Sequence, residues 1–264
     1  MVALTKHTPG SICWIDLMSP DVEKAKAFYG KLFGWSFSSA GPQSGGYLMI
    51  KQDGRDVGGL SGPTPGEEHH PGAPTMWNGY FSVEDLGAAS QRIVELGGKV
   101  SVPPMPVMDL GQMLVAEDPT GASFRLWKKE RFAGASVMME PGTLLWSQCD
   151  SSAPERSVAF YEQLLGLTSR KLEDPPYWTL AAPPGRQQDG FGGVMQLGGD
   201  APKRSGSYWI FYFSVEDVGA SVELARALGG TVQTSATDTP FGTMAQVSDP
   251  LGTPFMLMKP RPPS

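Results

Sequence analysis

Few side chains in this 264-residue sequence are of the types that usually carry chemistry. Its two cysteines, Cys13 and Cys149, cannot build a disulfide framework or a thiolate cage. Both fall in predicted strands facing a packed interior, as inert thiols in a reducing compartment would. His69-His70 follows Glu67-Glu68, a set with metal-ligating chemistry. It sits in a Pro/Gly linker with no rigid element to orient it, so a solvated polar patch is expected. His7 is near the terminus and expected to be mobile. No phosphate loop, dinucleotide fingerprint or activated nucleophile motif is present. For proton chemistry there remain Asp16 as a base, Tyr80 as a proton donor and Arg125 to hold a developing oxyanion.

Those side chains need elements to position them, and the chain supplies them twice. At a shift of 132, Trp14 meets Trp146, Phe28-Tyr29 meets Phe160-Tyr161, and Phe81-Ser82-Val83-Glu84-Asp85 meets Phe213-Ser214-Val215-Glu216-Asp217. Asp118-Pro119-x-Gly121 meets Asp249-Pro250-x-Gly252 at 131. This is a tandem duplication, with domains at 1–130 and 141–260.

Each half divides again into two units of strand, helix and three strands. Ile12 to Leu17 reads as a strand. Ser19-Pro20-Asp21 starts a helix, with the Ser19 hydroxyl as cap, a proline near N1 and an early acid. Its apolar stripe runs through Val22, Ala25, Tyr29, Leu32 and Phe33 to a glycine stop at Gly34. Asp85 caps a second helix, with Leu86, Ala89, Ile93 and Leu96 as its stripe. The stretches 61–75, 131–141 and 198–207 read as connectors without chemistry. Whether units pair one with two or one with four cannot be read from the sequence.

Apolar residues make up 40% and charged residues 18%, enough for a sizeable core. A net charge of −6 argues against nucleic acid or an anionic membrane as partner. No apolar run reaches the ~18 residues of a membrane span. The first residues lack a signal peptide's apolar stretch, so a cytoplasmic protein is expected.

Four βαβββ units, with Phe-Tyr in the odd helices and Asp-Pro-x-Gly before each half's last strand, resemble the vicinal oxygen chelate superfamily of glyoxalases, bleomycin-resistance proteins and extradiol dioxygenases. The resemblance extends to two-domain actinobacterial members, which include a mycobacterial antigen and accessory proteins of aromatic polyketide pathways. It implies an α+β fold of two tandem domains, each with a concave half-barrel sheet that holds a ligand, often with a divalent metal. The family's three metal-ligand places are occupied here by Trp14, Asn78 and Arg125, and by Trp146, Ile210 and Met256. None is a usual ligand, and a guanidinium repels cations, so neither half is expected to hold a metal or other cofactor.

Strand alternation then selects what would line the concave faces. In the first half these are Trp14, Asp16, Asn78, Tyr80, Met113, Arg125 and Trp127. In the second they are Trp146, Gln148, Ile210, Tyr212, Met244, Gln246, Met256 and Met258. Cys13, Ile15, Leu17 and Cys149 should face the helices. Ser147 should too, and its hydroxyl then needs a backbone partner. The parity of Tyr47, Met49 and Trp178 stays open. Such residues could equally collapse into core, and Asp16 with Arg125 could be only a buried ion pair.

Flat aromatics and adaptable methionines suit a planar, mostly apolar aromatic ligand such as an antibiotic or polyketide. The favoured reading is therefore a metal-free binding protein for sequestration, or an accessory to a tailoring enzyme. The alternative is a metal-independent tailoring enzyme using Asp16, Tyr80 and Arg125, and a metal-dependent glyoxalase or dioxygenase is a minor one. Four units in one chain suggest a monomer.

Overall fold

The computed structural model describes residues 6–63, 75–183, 190–198 and 206–261. His69-His70 and Glu67-Glu68 lie outside them. The first unit is β1 (Ile12–Met18), α1 (Val22–Phe33), β2 (Ser36–Ser39), β3 (Leu48–Gln52) and β4 (Arg55–Ser61). The second is β5 (Met76–Ser82), α2 (Leu86–Glu95), β6 (Lys99–Val107), β7 (Gly111–Glu117) and β8 (Ser123–Lys129). The third is β9 (Leu144–Ser151), α3 (Pro154–Leu165), β10 (Thr168–Glu173), β11 (Pro176–Ala181) and β12 (Gly192–Gln196). The fourth is β13 (Tyr208–Ser214), α4 (Val218–Ala227), β14 (Thr231–Thr239), β15 (Gly242–Ser248) and β16 (Pro254–Pro260).

Units one and two share one eight-stranded sheet, ordered β2-β3-β4-β1-β5-β8-β7-β6. Units three and four share the other, ordered β10-β11-β12-β9-β13-β16-β15-β14. This settles the pairing that the sequence left open. Each sheet is closed at its centre by an antiparallel first-strand pair, β1 with β5 and β9 with β13.

One apolar core, continuous across both halves, fills the space between the sheets. Phe33 lies 5.2 Å from Phe213, and Phe81 lies 5.3 Å from Trp209, ring centre to ring centre. Removing such a buried ring costs about 3–5 kcal/mol, so neither half is independent of the other. Because the helix-bearing faces meet in this core, the opposite faces are left for ligands. No described helix is long and apolar enough to cross a membrane.

Local signals account for most boundaries. Asp85 caps α2 by accepting from Ala88 N, and Gly34 ends α1 in the left-handed conformation at φ 74°. The start of α1 differs from expectation. Asp21, not Ser19, is the cap, accepting from Lys24 N, while Ser19 Oγ instead accepts from Asp21 N to close the preceding turn.

The other correction concerns Cys13. A bulge in β1 lets Ile12 pair with Phe81 and Trp14 with Tyr80, leaving Cys13 unpaired between them. The extra residue resets alternation, so Cys13 is buried beside Trp14, Tyr80 and Trp127 rather than under the helices. The second half bulges at the equivalent residue, Leu145. Cys149 does lie in the central core. Burial pushes both thiols well above the usual range, so neither is a nucleophile.

Candidate functional site

The first sheet's concave face encloses a cavity of about 590 Å³. All seven first-half residues selected by alternation line it: Trp14 and Asp16 from β1, Asn78 and Tyr80 from β5, Met113 from β7, and Arg125 and Trp127 from β8. Strand register brings them together. Trp14 sits opposite Tyr80, Asp16 opposite Asn78, and Arg125 beside Tyr80.

At the β1 end the polar groups satisfy one another. Trp14 Nε1 donates to Tyr47 Oη at 2.8 Å, and Tyr47 donates to Asp16 Oδ2 at 3.3 Å. Tyr80 Oη donates to the same oxygen at 2.7 Å, and Asn78 Nδ2 donates to Asp16 Oδ1 at 2.9 Å. Burial, then the Asp16 charge, pushes both phenols well above their ordinary range, so each keeps its proton and directs it at Asp16. The expected alternative of an Asp16–Arg125 ion pair is not formed. The guanidinium lies 5.7 Å from the centre of the Tyr80 ring instead.

Tyr47 belongs to the site because Gly59, its neighbour on β4, has no side chain. A Cβ on Gly59 would overlap the Tyr47 ring. The second half repeats this device, with Tyr177 lying over Gly193 and accepting from Trp146 Nε1 at 2.7 Å.

Several lining residues were not selected from the sequence. Met18 continues the Trp14, Asp16 alternation and was legible there; Met49 had been left open. Met105 on β6 and Met108 on the turn that follows it, both about 40% exposed, also line the cavity. Phe132 had no signal, because it falls in the 131–141 connector read as lacking chemistry. That connector is part of the site. Phe132 packs edge-on to Trp14 at 4.9 Å, and its carbonyl accepts from Trp127 Nε1 at 2.9 Å. Ala135 N then donates to Cys13 O at 2.8 Å. The chain approaches β1 so closely that a Cβ on Gly134, at φ 121°, would overlap Cys13 O.

The second half is different. Ile210, Tyr212, Met256 and Met258 are buried against one another, with Trp146 and Met244 packed on them. Gln148 Oε1 accepts from Tyr212 at 2.8 Å, and its Nε2 donates to Asp150 at 2.7 Å. Burial raises the Asp150 carboxyl above its ordinary value. Gln246 pairs with Met256 and shares its face. Ser147 turns to the core and donates to Phe191 O at 3.1 Å, the backbone partner it requires. Trp178 also packs in the central core, away from this face.

The sequence matches the model of the Glyoxalase/Bleomycin resistance protein/Dioxygenase superfamily over residues 11–126 and 151–257. The chain belongs to that superfamily. It is 35% identical over 266 residues to "Putative glyoxylase CFP32" of Mycobacterium tuberculosis, covering 98% of each chain. It is 34% identical over 271 residues to the anthracycline biosynthesis protein DnrV of Streptomyces peucetius, covering 97% of this chain and 95% of that one. Among solved structures, the 2,3-dioxygenase LapB from Pseudomonas sp. KL28 superposes with a TM-score of 0.65 at 14% identity, covering 98% of this chain and 96% of that one. The Mn(II)-bound glyoxalase from Novosphingobium aromaticivorans gives 0.65 at 14% identity, over 95% and 82%. At such identity these two speak for the fold alone.

The residues present do not fit a divalent cation of the kind that glyoxalase binds. At the three places in the first cavity, Trp14 Nε1 and Asn78 Nδ2 are hydrogen-bond donors in use, and Arg125 is itself a cation. The carboxylate nearby, Asp16, already accepts three hydrogen bonds. Among the described residues, no three His, Cys, Asp or Glu side chains converge.

Proposed function

We propose that this chain is a metal-free small-molecule-binding member of its superfamily, whose first half holds a planar, mostly apolar aromatic ligand of the antibiotic or polyketide kind. The observation that carries this reading is the cavity of about 590 Å³, inside the range of ~300–1,000 Å³ typical of ligand pockets. Beside Asp16, Asn78 and Arg125, its walls include Trp14, Tyr47, Tyr80, Trp127, Phe132 and five methionines, Met18, Met49, Met105, Met108 and Met113. Rings supply flat contact area at low entropic cost, and thioethers adapt to the outline of a fused-ring ligand. Relatives named for anthracycline biosynthesis support the same ligand class.

Binding is favoured over catalysis by the state of the three candidate catalytic groups. Asp16 has both oxygens hydrogen-bonded, and the Tyr80 proton is directed at Asp16 rather than into the cavity. A base and an acid engaged with each other are poorly placed to serve a substrate. The protein then sequesters its ligand or presents it to a tailoring enzyme, as a cytoplasmic monomer whose two halves share one core.

A titration with anthraquinones and related planar polycycles, followed by tryptophan emission, tests the reading. Saturable quenching with no dependence on added Zn, Mn or Fe, or on chelator, is expected. Absence of any perturbation across such a set, or binding that requires metal, would overturn it.

A further inference from the structure

We propose that Arg125 makes the first cavity selective for aromatic ligands bearing an acidic oxygen, a carboxylate or a phenolate. The inference rests on the ligand-binding reading above and specifies which ligands that cavity prefers.

Arg125 is half-buried on β8, between Tyr80 of β5 and Val115 of β7, and it lines the cavity. Its guanidinium faces the Tyr80 ring at 5.7 Å. Among the described residues it has no ion pair and donates no hydrogen bond. Other arginines of the chain do: Arg55 holds Glu140 at 2.9 Å, Arg92 holds Glu95 at 3.1 Å, and Arg226 holds Glu223. The cavity's own carboxylate does not serve, since the Asp16 oxygens are filled by Tyr47, Asn78 and Tyr80.

A guanidinium has five donors in a planar fork and no acceptor, and it stays charged at any physiological pH. Placed among Met113, Trp127 and Tyr80, with donors unspent, it is complementary to an oxygen carrying negative charge. Charge-assisted hydrogen bonds strengthen where water is excluded. The preference must be local, because the protein's net charge of −6 repels anions at long range. The second half lacks the device: Met256 occupies the corresponding place beside Tyr212.

The test is calorimetric titration of the full chain at pH 7 with anthraquinone-2-carboxylate and its uncharged primary carboxamide. Wild type should bind the carboxylate at least tenfold more tightly than the amide. Arg125→Met should bind both equally, with amide affinity within about threefold of wild type, and Arg125→Lys should keep part of the preference. Arg125→Gln replaces the Met variant if circular dichroism shows the latter to be misfolded. Equal binding of both probes to wild type would overturn the proposal while leaving the cavity reading intact. So would a preference that survives in the Met or Gln variant. Failure of wild type to bind either probe would overturn both readings.

Discussion

Tyr29 Oη lies 3.1 Å from Asp249 Oδ2, tying the first helix to a turn 220 residues further along the chain. Asp249 Oδ1 meanwhile accepts from Leu251 N and Thr253 N, closing the Asp-Pro-x-Gly turn. The arrangement is reciprocal. Asp118 holds its own turn through Thr120 N and Ala122 N, and its Oδ2 accepts from Ser157 at 3.0 Å. Each half's turn aspartate is thus shared with the other half's first helix. The motifs that mark the duplication in sequence are also what join its two copies.

Tyr29→Phe should therefore destabilise the whole chain by about 1–3 kcal/mol, the cost of leaving a buried acceptor short of a donor. A single cooperative urea transition with a lower midpoint is expected, with ligand affinity unchanged because Tyr29 is remote from the cavity. An unaltered midpoint would show that the contact carries no stability.

Gly59→Ala should separate site from stability. The added methyl displaces the Tyr47 ring, which breaks the relay from Trp14 through Tyr47 to Asp16. Asp16 keeps Asn78 and Tyr80 as donors, so the fold should lose no more than about 1–3 kcal/mol. Ligand affinity should fall roughly tenfold, the equivalent of one net hydrogen bond. Gly193→Ala, the matching change under Tyr177, should leave that affinity unchanged. Equal effects of the two variants in the binding assay would count against a single ligand cavity.

The sequence made the duplication, the four units and the first cavity's floor legible, because repeats and alternation are local signals that tertiary packing did not override. Trp14, Asp16, Asn78, Tyr80, Arg125 and Trp127 were found in that way. Cys13 was misplaced because a bulge shifts alternation by one residue without any marker in the sequence. Phe132 escaped because its position depends on the chain crossing β1 at Gly134, a long-range contact. The edge strand β6 alternates only through Val100 and Val102 before Pro103, Pro104 and Pro106 interrupt the pattern, and it is largely exposed. Which half carries the cavity of about 590 Å³ could not be foreseen either, since Ile210, Met256 and Met258 line an open face as plausibly as a closed one.

His7 gives the fold a defined pH response. Its Nε2 donates to Ala135 O at 3.0 Å, on the connector that carries Phe132. Burial, with a smaller contribution from Lys129, lowers its pKa below the ordinary 6.5. The unfolded chain then binds more protons between the two values, so stability rises with pH in that interval. This contribution is full above about 6.5 and is lost as pH falls through the folded-state value. His7→Gln should flatten the slope of unfolding free energy between pH 7 and pH 5 relative to wild type. Parallel slopes would place His7 in solvent.

Trp14 and Trp146 occupy equivalent positions, yet they should respond to ligand differently. Trp14 lines the open cavity, with its Nε1 anchored on Tyr47 and Phe132 packed edge-on against its ring. Trp146 has the same anchor, in Tyr177, but packs on Met256, Met258 and their neighbours. A planar ligand can therefore stack on the first indole, whereas the second packs on a cluster of Ile210, Met256 and Met258 and is not part of the cavity of about 590 Å³. Trp14→Ala should weaken binding about thirtyfold or more, as expected for an interface tryptophan worth ~2 kcal/mol. It should also remove most of the ligand-induced quench. Trp14→Phe, which keeps a ring and much of the packing, should recover part of the affinity and shows whether truncation simply unfolds the site. Trp146→Ala should leave both affinity and quench near wild type and lower the unfolding midpoint instead, because it opens a void in a packed cluster. Loss of quench in the Trp146 variant, with Trp14→Ala silent, would move the ligand to the second half.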